Sequence, residues 1–351
     1  MISLKTLGDN LNENLQVLIL SNSPAKVLEK TIRFWSTTDF SVVVIHQVLD
    51  FPLKASLLQR SPNIGYHIVN SNFNARLKYA TEFVYKDLMV VVPDDEIMLP
   101  STLTKISKIM IQNDEFGSVG GITIAVQKYG FTYSATSVYK HFANYSNLCN
   151  FSLDRVHYHF GRSGEKTQVA HCYRVIRTEI FFKIVSILSL IDDQECPYLF
   201  EVIAELVLTL SAKSINIDQA LWIRNWIRPS STPSIERENY YHYWIEKRKS
   251  NRDNIVSSLK SVLCELPLFD IEAAVDLSTS NRKRLETYEA SRLMSIPANT
   301  TVRRSLRYLK SLKQLAFSRR RFRMDEDVTS LLTESKLKDE FINAFNVVKS
   351  Y

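Results

Sequence analysis

Glycine is scarce and lopsided in this chain: 351 residues hold eight, all at or before Gly164. The first half therefore carries the turns of an α/β domain, while the second half reads as helices joined by polar or proline-bearing links. Cysteine is scarcer still. Cys149, Cys172, Cys196 and Cys264 lack CxxC spacing, so they indicate neither a zinc site nor a disulfide framework, and a reducing, cytoplasmic setting fits best.

Long apolar runs are missing too. Leu15 to Leu20 is too short for a signal peptide and has no basic flank. Phe181 to Ile191 is interrupted by Lys183, Ser186 and Ser189 and falls far short of the roughly 20 residues that cross a bilayer, so no membrane span is expected. No glycine-rich loop follows the first predicted strand, which argues against a Rossmann dinucleotide site or a P-loop. Acids are absent from Ile296 to Met324, where nine arginines and lysines collect. Removing those nine from the formal net charge of +7 leaves −2, so the basic character belongs to one segment.

What remains is ordinary for a soluble globular protein, with 45% apolar and 23% charged residues. The length suggests two domains, or one large domain with an appendage. Val17 to Leu20 reads as a first strand, and Ser21-Asn22-Ser23-Pro24 supplies a cap residue and a proline for a helix start. Val27, Leu28, Ile32 and Trp35 recur at helical spacing and return the chain to a second strand, Ser41 to Ile45. This βαβ opening implies a parallel sheet with a right-handed crossover. Ile64 to Val69 is a short third strand and Phe73 to Tyr85 a helix.

The organising stretch is Leu88 to Val92, five apolar residues suited to a strand buried on both faces. Pro93 has no ladder donor and ends it. Asp94, Asp95 and Glu96 then lie beyond the C-terminal tip, where open α/β sheets bind ligands. Three adjacent carboxylates repel unless a cation lies between them, although a solvated turn has the same composition. Leu99 to Ile111 is amphipathic, with Leu99, Leu103, Ile106 and Met110 on one side, and Gly117 to Val126 is a further strand. Tyr129 to His171 is weakly periodic and reads as irregular structure over the site. Within it, His157 and His159 alternate like strand neighbours. Ala170 to Arg177 is a strand leading to a helix near Thr178. Leu199 to Ala212 is a helix apolar nearly all round, whose only charges, Glu201 and Glu205, share one face. That face is either solvated or lines a cleft.

These residues together resemble a bacterial nucleotide-sugar glycosyltransferase family of the GT-A fold, in which an aspartate run of the DxD type closes a central strand. The likeness covers roughly residues 15 to 228. It rests on Asn74-Ala75-Arg76-Leu77, Asp94-Asp95-Glu96-Ile97, Asp154-Arg155-Val156, Tyr173 to Glu179, Phe200-Glu201-Val202 and Leu221-Trp222-Ile223-Arg224. The chain departs from the pattern at Glu96, where the family has aspartate. It departs again at Ser21-Asn22-Ser23 in the first turn and at His46-Gln47 after the second strand.

The resemblance implies a GT-A-like, mostly parallel sheet flanked by helices, over residues 1–235. Its nucleotide-sugar half spans about 15–125 and its acceptor half about 126–235, and a helical C-terminal extension follows over 236–351. It implies a hexosyltransferase that moves sugar from a nucleotide-sugar donor to a glycan or lipid-linked acceptor with inversion. Donor contacts fall to Ser21, Asn22, Arg76, Asp94 and Asp95, and a Mg²⁺ or Mn²⁺ ion to Asp94, Asp95 and Glu96. Glu201 matches the family's general base, with Glu205 and Asp193 behind it.

Val302, Leu306, Leu309, Leu312 and Ala316 add an apolar stripe beside the basic run. Residues 301–323 could lie on an anionic membrane at the inner face or pack with their arginines solvated. The same run and Tyr240, Tyr241, Tyr243 and Trp244 suggest a nucleic-acid-binding protein, but the slightly acidic remainder and the lack of a recognisable module argue against one. A nucleotidyltransferase and a catalytically inactive GT-A-like binding protein stay open as alternatives.

Overall fold

A computed structural model describes residues 14–48, 50–129, 132–138, 145–160, 173–191, 199–225, 249–280, 322–324, 326–332 and 334–350. The predicted opening forms as β1 (Leu15–Ser21), α1 (Ala25–Trp35) and β2 (Ser41–His46). There follow α2 (Ala55–Gln59), β3 (Ile64–Ile68), α3 (Phe73–Ala80), β4 (Leu88–Val92), β5 (Ile97–Met98), α4 (Pro100–Gln112) and β6 (Phe116–Tyr129). Next come β7 (Thr132–Val138), β8 (Ser146–Asn147), α5 (Ser152–Phe160), β9 (Val175–Arg177), α6 (Thr178–Leu190), α7 (Leu199–Ser211) and β10 (Lys213–Asn225). The described chain closes with α8 (Lys249–Val262), a helical run α9 over residues 268–280, β11 (Phe322–Met324), α10 (Glu326–Leu331) and α11 (Ser335–Val348).

The α/β class holds, as a central sheet flanked by helices. Strands run in the order β11-β7-β6-β9-β4-β1-β2-β3, with β10 pairing β5, β6 and β8 off that path. The β4-β1-β2-β3 side is all parallel, whereas β9 is antiparallel to both β4 and β6, so the sheet as a whole is mixed. β4 sits between β1 and β9, and all five of its side chains are buried. Burying one such valine or methionine stabilises the fold by about 1.5–3 kcal/mol.

Helical stripes cover both faces. Leu28, Ile32 and Trp35 of α1 and Leu103, Ile106 and Met110 of α4 bury against one face, as their spacing predicts. α11 joins them there through Leu337, Phe341, Ala344, Phe345 and Val348. Its Glu340 carboxylate accepts from the Ser101 amide at 2.9 Å and the Ser101 hydroxyl at 2.6 Å, which anchors the first turn of α4. α3, α6, α7, α8 and α9 cover the other face.

Several expectations give way. Tyr129 to His171 is not irregular throughout: β7, β8 and α5 lie inside it. His157 and His159 are helical, in the last turn of α5, because Arg155, Val156, His159 and Phe160 together form a buried helical stripe that outweighs local alternation. The second half is not all helix either. β10 is a 13-residue strand whose apolar end, Ala220 to Ile223, is buried beside β6. Gly120 in β6 permits this close pairing, since a Cβ there would collide with the Asn216 and Arg174 side chains. Among the described residues no helix is long and apolar enough to cross a membrane. His171, Tyr240 to Trp244 and the side chains of the basic run lie outside the described residues.

Candidate active site

β1 and β4 run parallel with Ile19 opposite Val92, so their C-terminal ends finish side by side. Ser21 ends one and the acidic run follows the other. The expected helix cap is not made: Pro24 occupies the N-cap of α1, with no side-chain bond. Instead the Ser21 hydroxyl donates to Asp94 Oδ2 at 2.5 Å, and the Ser23 amide donates to the same oxygen at 3.1 Å. Thr31 of α1 donates its hydroxyl to the Asp94 carbonyl at 2.5 Å. Arg76 reaches over from α3 and donates to the Ser21 carbonyl at 2.6 Å. Burial lowers the Arg76 pKa, and the charge of Asp94 opposes that shift. Asn22 is exposed in the turn between β1 and α1.

The other two acids face β10. β5 pairs with it antiparallel, Ile97 opposite Ile223 and Met98 opposite Trp222, which swings the end of β10 against the acidic turn. Asn225 donates its side-chain amide to Asp95 Oδ2 at 3.1 Å. Arg224 lies with Nε 3.4 Å from Glu96 Oε1. Glu96 is 6% exposed, and its Oε2 is buried with no hydrogen-bond partner among the described residues. Burial pushes its carboxyl up to about 8, with Arg224 opposing the shift and Asp95 adding to it. At neutral pH Glu96 is therefore mainly a neutral acid.

Glu201 sits in the first turn of α7, half-buried, where the helix dipole favours a carboxylate. Tyr173 donates its hydroxyl to Glu201 Oε1 at 3.4 Å. The Tyr173 ring lies 4.7 Å from that of Trp222, and the Arg224 guanidinium lies over the Trp222 ring at 4.9 Å. A continuous path of contacts thus joins Glu96 to Glu201. A second path runs through α3: Arg76 stands over the Phe73 ring at 6.0 Å, and Phe73 meets Phe200 edge-on at 5.4 Å. Glu205 is buried inside α7, at 4% exposure. Asp193 lies outside the described residues.

Tyr173, Trp222, Arg224 and Asn225 were not among the residues that sequence reasoning singled out for roles. The segment Leu221 to Arg224 carried part of the family likeness, but its strand character and its pairing with β5 were hidden by the helical reading of the second half. His46 has a structural answer: its Nδ1 lies 2.7 Å from the Tyr66 hydroxyl and its Nε2 lies 3.0 Å from the Ser23 carbonyl, so it braces the turn after β1.

The donor set can be tested against a divalent cation. Among the described residues no three His, Cys, Asp or Glu side chains converge as a ligand cluster. Asp94 is turned inward on Ser21 and Ser23, and Glu96 is buried with one oxygen toward Arg224. Asp95 is the acid that stays partly exposed. Mg²⁺ is commonly held by one or two carboxylates together with substrate phosphates, and Asp95 fits that kind of site.

The architecture is a mixed α/β fold, a central sheet flanked by helices, of a kind found among solved structures. The particular likeness is to TarS of S. aureus: the crystal structure of TarS 1–349 matches with a TM-score of 0.51 and 10% identity, covering 96% of this chain and 89% of that one. TarS 1–349 in complex with UDP and with UDP-GlcNAc match at TM-scores of 0.45 and 0.43, with 10% and 12% identity. Each covers 79% of this chain and 92% of the other. At such identities the likeness is one of fold alone. No protein-family model matches the chain, and no curated protein matches its sequence.

Proposed function

We propose that this chain is a nucleotide-sugar glycosyltransferase of the GT-A, DxD type, with Glu96 in place of the last aspartate, transferring a hexosyl group with inversion. The observation that carries the reading is the contact path from the acidic turn at the tip of β4 to Glu201 on α7. In this reading a donor diphosphate lies beside Asp95 and an acceptor hydroxyl beside Glu201, at the two ends of that path.

Glu201 takes the proton from the acceptor hydroxyl, and the freed oxygen attacks the anomeric carbon as its bond to the diphosphate breaks. Asp95 and the donor phosphates would hold a Mg²⁺ or Mn²⁺ ion, which neutralises charge on the leaving diphosphate. Arg76 and Asp94 shape the floor of the donor side by fixing Ser21 between them. The catalytic unit is residues 1–235, and the C-terminal extension braces it through α11. The acceptor is a glycan or lipid-linked glycan, met at the inner face of a membrane to which residues 301–323 bring the protein.

A panel of nucleotide sugars and plain nucleoside triphosphates, each assayed for Mn²⁺-stimulated turnover, tests this reading. Hydrolysis or transfer from one nucleotide sugar is the expected result. Turnover of triphosphates alone would make the protein a nucleotidyltransferase.

A further inference from the structure

Glu201 on its own is a poorly defined base. It stands on a helix, carries three side-chain torsions, and is only half-buried. The Tyr173 hydroxyl donates to its Oε1 at 3.4 Å, a long hydrogen bond that closer approach in the reacting complex would tighten. Tyr173 is unusual among residues of the site in packing against the hydrophobic clusters on both faces of the sheet. It lies just before β9, the short strand inserted between β4 and β6. Its ring is tilted by 31° against that of Trp222, with centroids 4.7 Å apart, and Trp222 is 4% exposed. The phenol is therefore clamped, and a clamped donor fixes its acceptor.

We propose that Tyr173 is the positioning residue for Glu201, and that it ties the direction of the base to the acidic turn on the donor side. The link runs from Tyr173 through the Trp222 ring to Arg224, which stands over that ring, and from there to Glu96 in the acidic turn. An arginine that meets a bound diphosphate also lies over Trp222, and Trp222 packs against the phenol that holds the base. The acceptor proton is then abstracted by a carboxylate aligned while the donor is in place.

This inference rests on the proposed transferase reaction. Misplacing a reacting group by about 1 Å costs on the order of 10²-fold in rate, whereas substrate binding on the donor side does not pass through the phenol hydroxyl. Tyr173→Phe keeps the ring and its stacking and removes only the hydroxyl.

The test is steady-state kinetics of the full chain with whichever nucleotide sugar the panel identifies, accompanied by thermal melts. Tyr173→Phe is expected to lower kcat by roughly 10- to 100-fold, with donor KM and melting temperature unchanged. In single-turnover assays with excess enzyme, adding Tyr173→Phe to Glu201→Gln is expected to cause no further loss. An unchanged kcat in Tyr173→Phe overturns the proposal and leaves the transferase reading standing. An equal further loss in the Glu201→Gln background overturns it as well, since the phenol would then act apart from Glu201. A wild-type chain that turns over no nucleotide sugar overturns the reading and the proposal together.

Discussion

The Ser21 hydroxyl and the Asp94 carboxylate, 73 residues apart in sequence, meet at 2.5 Å across the tips of two adjacent parallel strands. Asp94 is 8% exposed and receives a second hydrogen bond from the Ser23 amide. The first acid of the run is thus part of the scaffold that joins β1 to β4. Ser21→Ala removes a hydrogen bond to a buried charged group and is expected to cost about 1–3 kcal/mol in a urea unfolding curve. A midpoint equal to that of the wild type would show that the Ser23 amide alone satisfies Asp94.

Asp95 differs from its neighbours in keeping part of its surface toward solvent while Asn225 holds one oxygen. Asp95→Ala is expected to abolish Mn²⁺ stimulation of nucleotide-sugar turnover. Because it removes an acceptor of the buried Asn225 side chain, it is expected to cost about 1–3 kcal/mol of unfolding free energy. Titrating Mn²⁺ against rate checks this, and a variant that responds to the ion as the wild type does would remove Asp95 from the metal site.

Glu96 sets a pH dependence of stability. Its carboxyl titrates near 4.5 when unfolded and about 8 when folded. Above the lower value the unfolded chain releases a proton that the folded chain retains, so the folded state loses stability as pH rises. The loss is about 1.4 kcal/mol per pH unit across that window, and it is complete once pH passes the folded value. Glu96→Gln removes the titration. Its unfolding free energy is expected to be flatter between those two pH values and to exceed the wild type by a few kcal/mol at the upper end. Parallel pH curves for the two proteins would contradict the assignment.

Arg155 illustrates a purely structural role inside a segment that resembles a transferase family. Its guanidinium donates to the carbonyls of Thr209 at 2.9 Å, Leu210 at 2.6 Å, Asn150 at 2.8 Å and Cys149 at 3.2 Å. It thereby satisfies the last turn of α7 and the loop before α5 at once. Lysine offers a single point charge and cannot span that set. Arg155→Lys is expected to cost about 2–4 kcal/mol, read by denaturant unfolding, since several charge-assisted hydrogen bonds are lost.

Local pattern was enough for much of this molecule. The valine-rich run made β4, Pro93 stopped it, and the helical spacing of Val27, Leu28, Ile32 and Trp35 gave the buried stripe of α1. These are decisions taken within one turn or one strand, where side-chain period alone selects the face that leaves water. The position of Asp94, Asp95 and Glu96 just past a buried strand, and of Glu201 on an apolar helix, was legible for the same reason.

What each acid does was not legible. Asp94, Asp95 and Glu96 are neighbours in the chain, yet one is turned onto Ser21, one faces Asn225 and one is buried beside Arg224. The Asn225 contact spans 130 residues and exists because β10 leaves the second half of the chain to pair with both β6 and β5. Strand pairing at that separation is set by the register of the whole sheet, which no local period encodes. Sequence determined that acids stand at the tip of a buried strand. Only the tertiary structure decided which of them stays open to solvent and which is buried, because burial and distant hydrogen-bond partners fix that outcome.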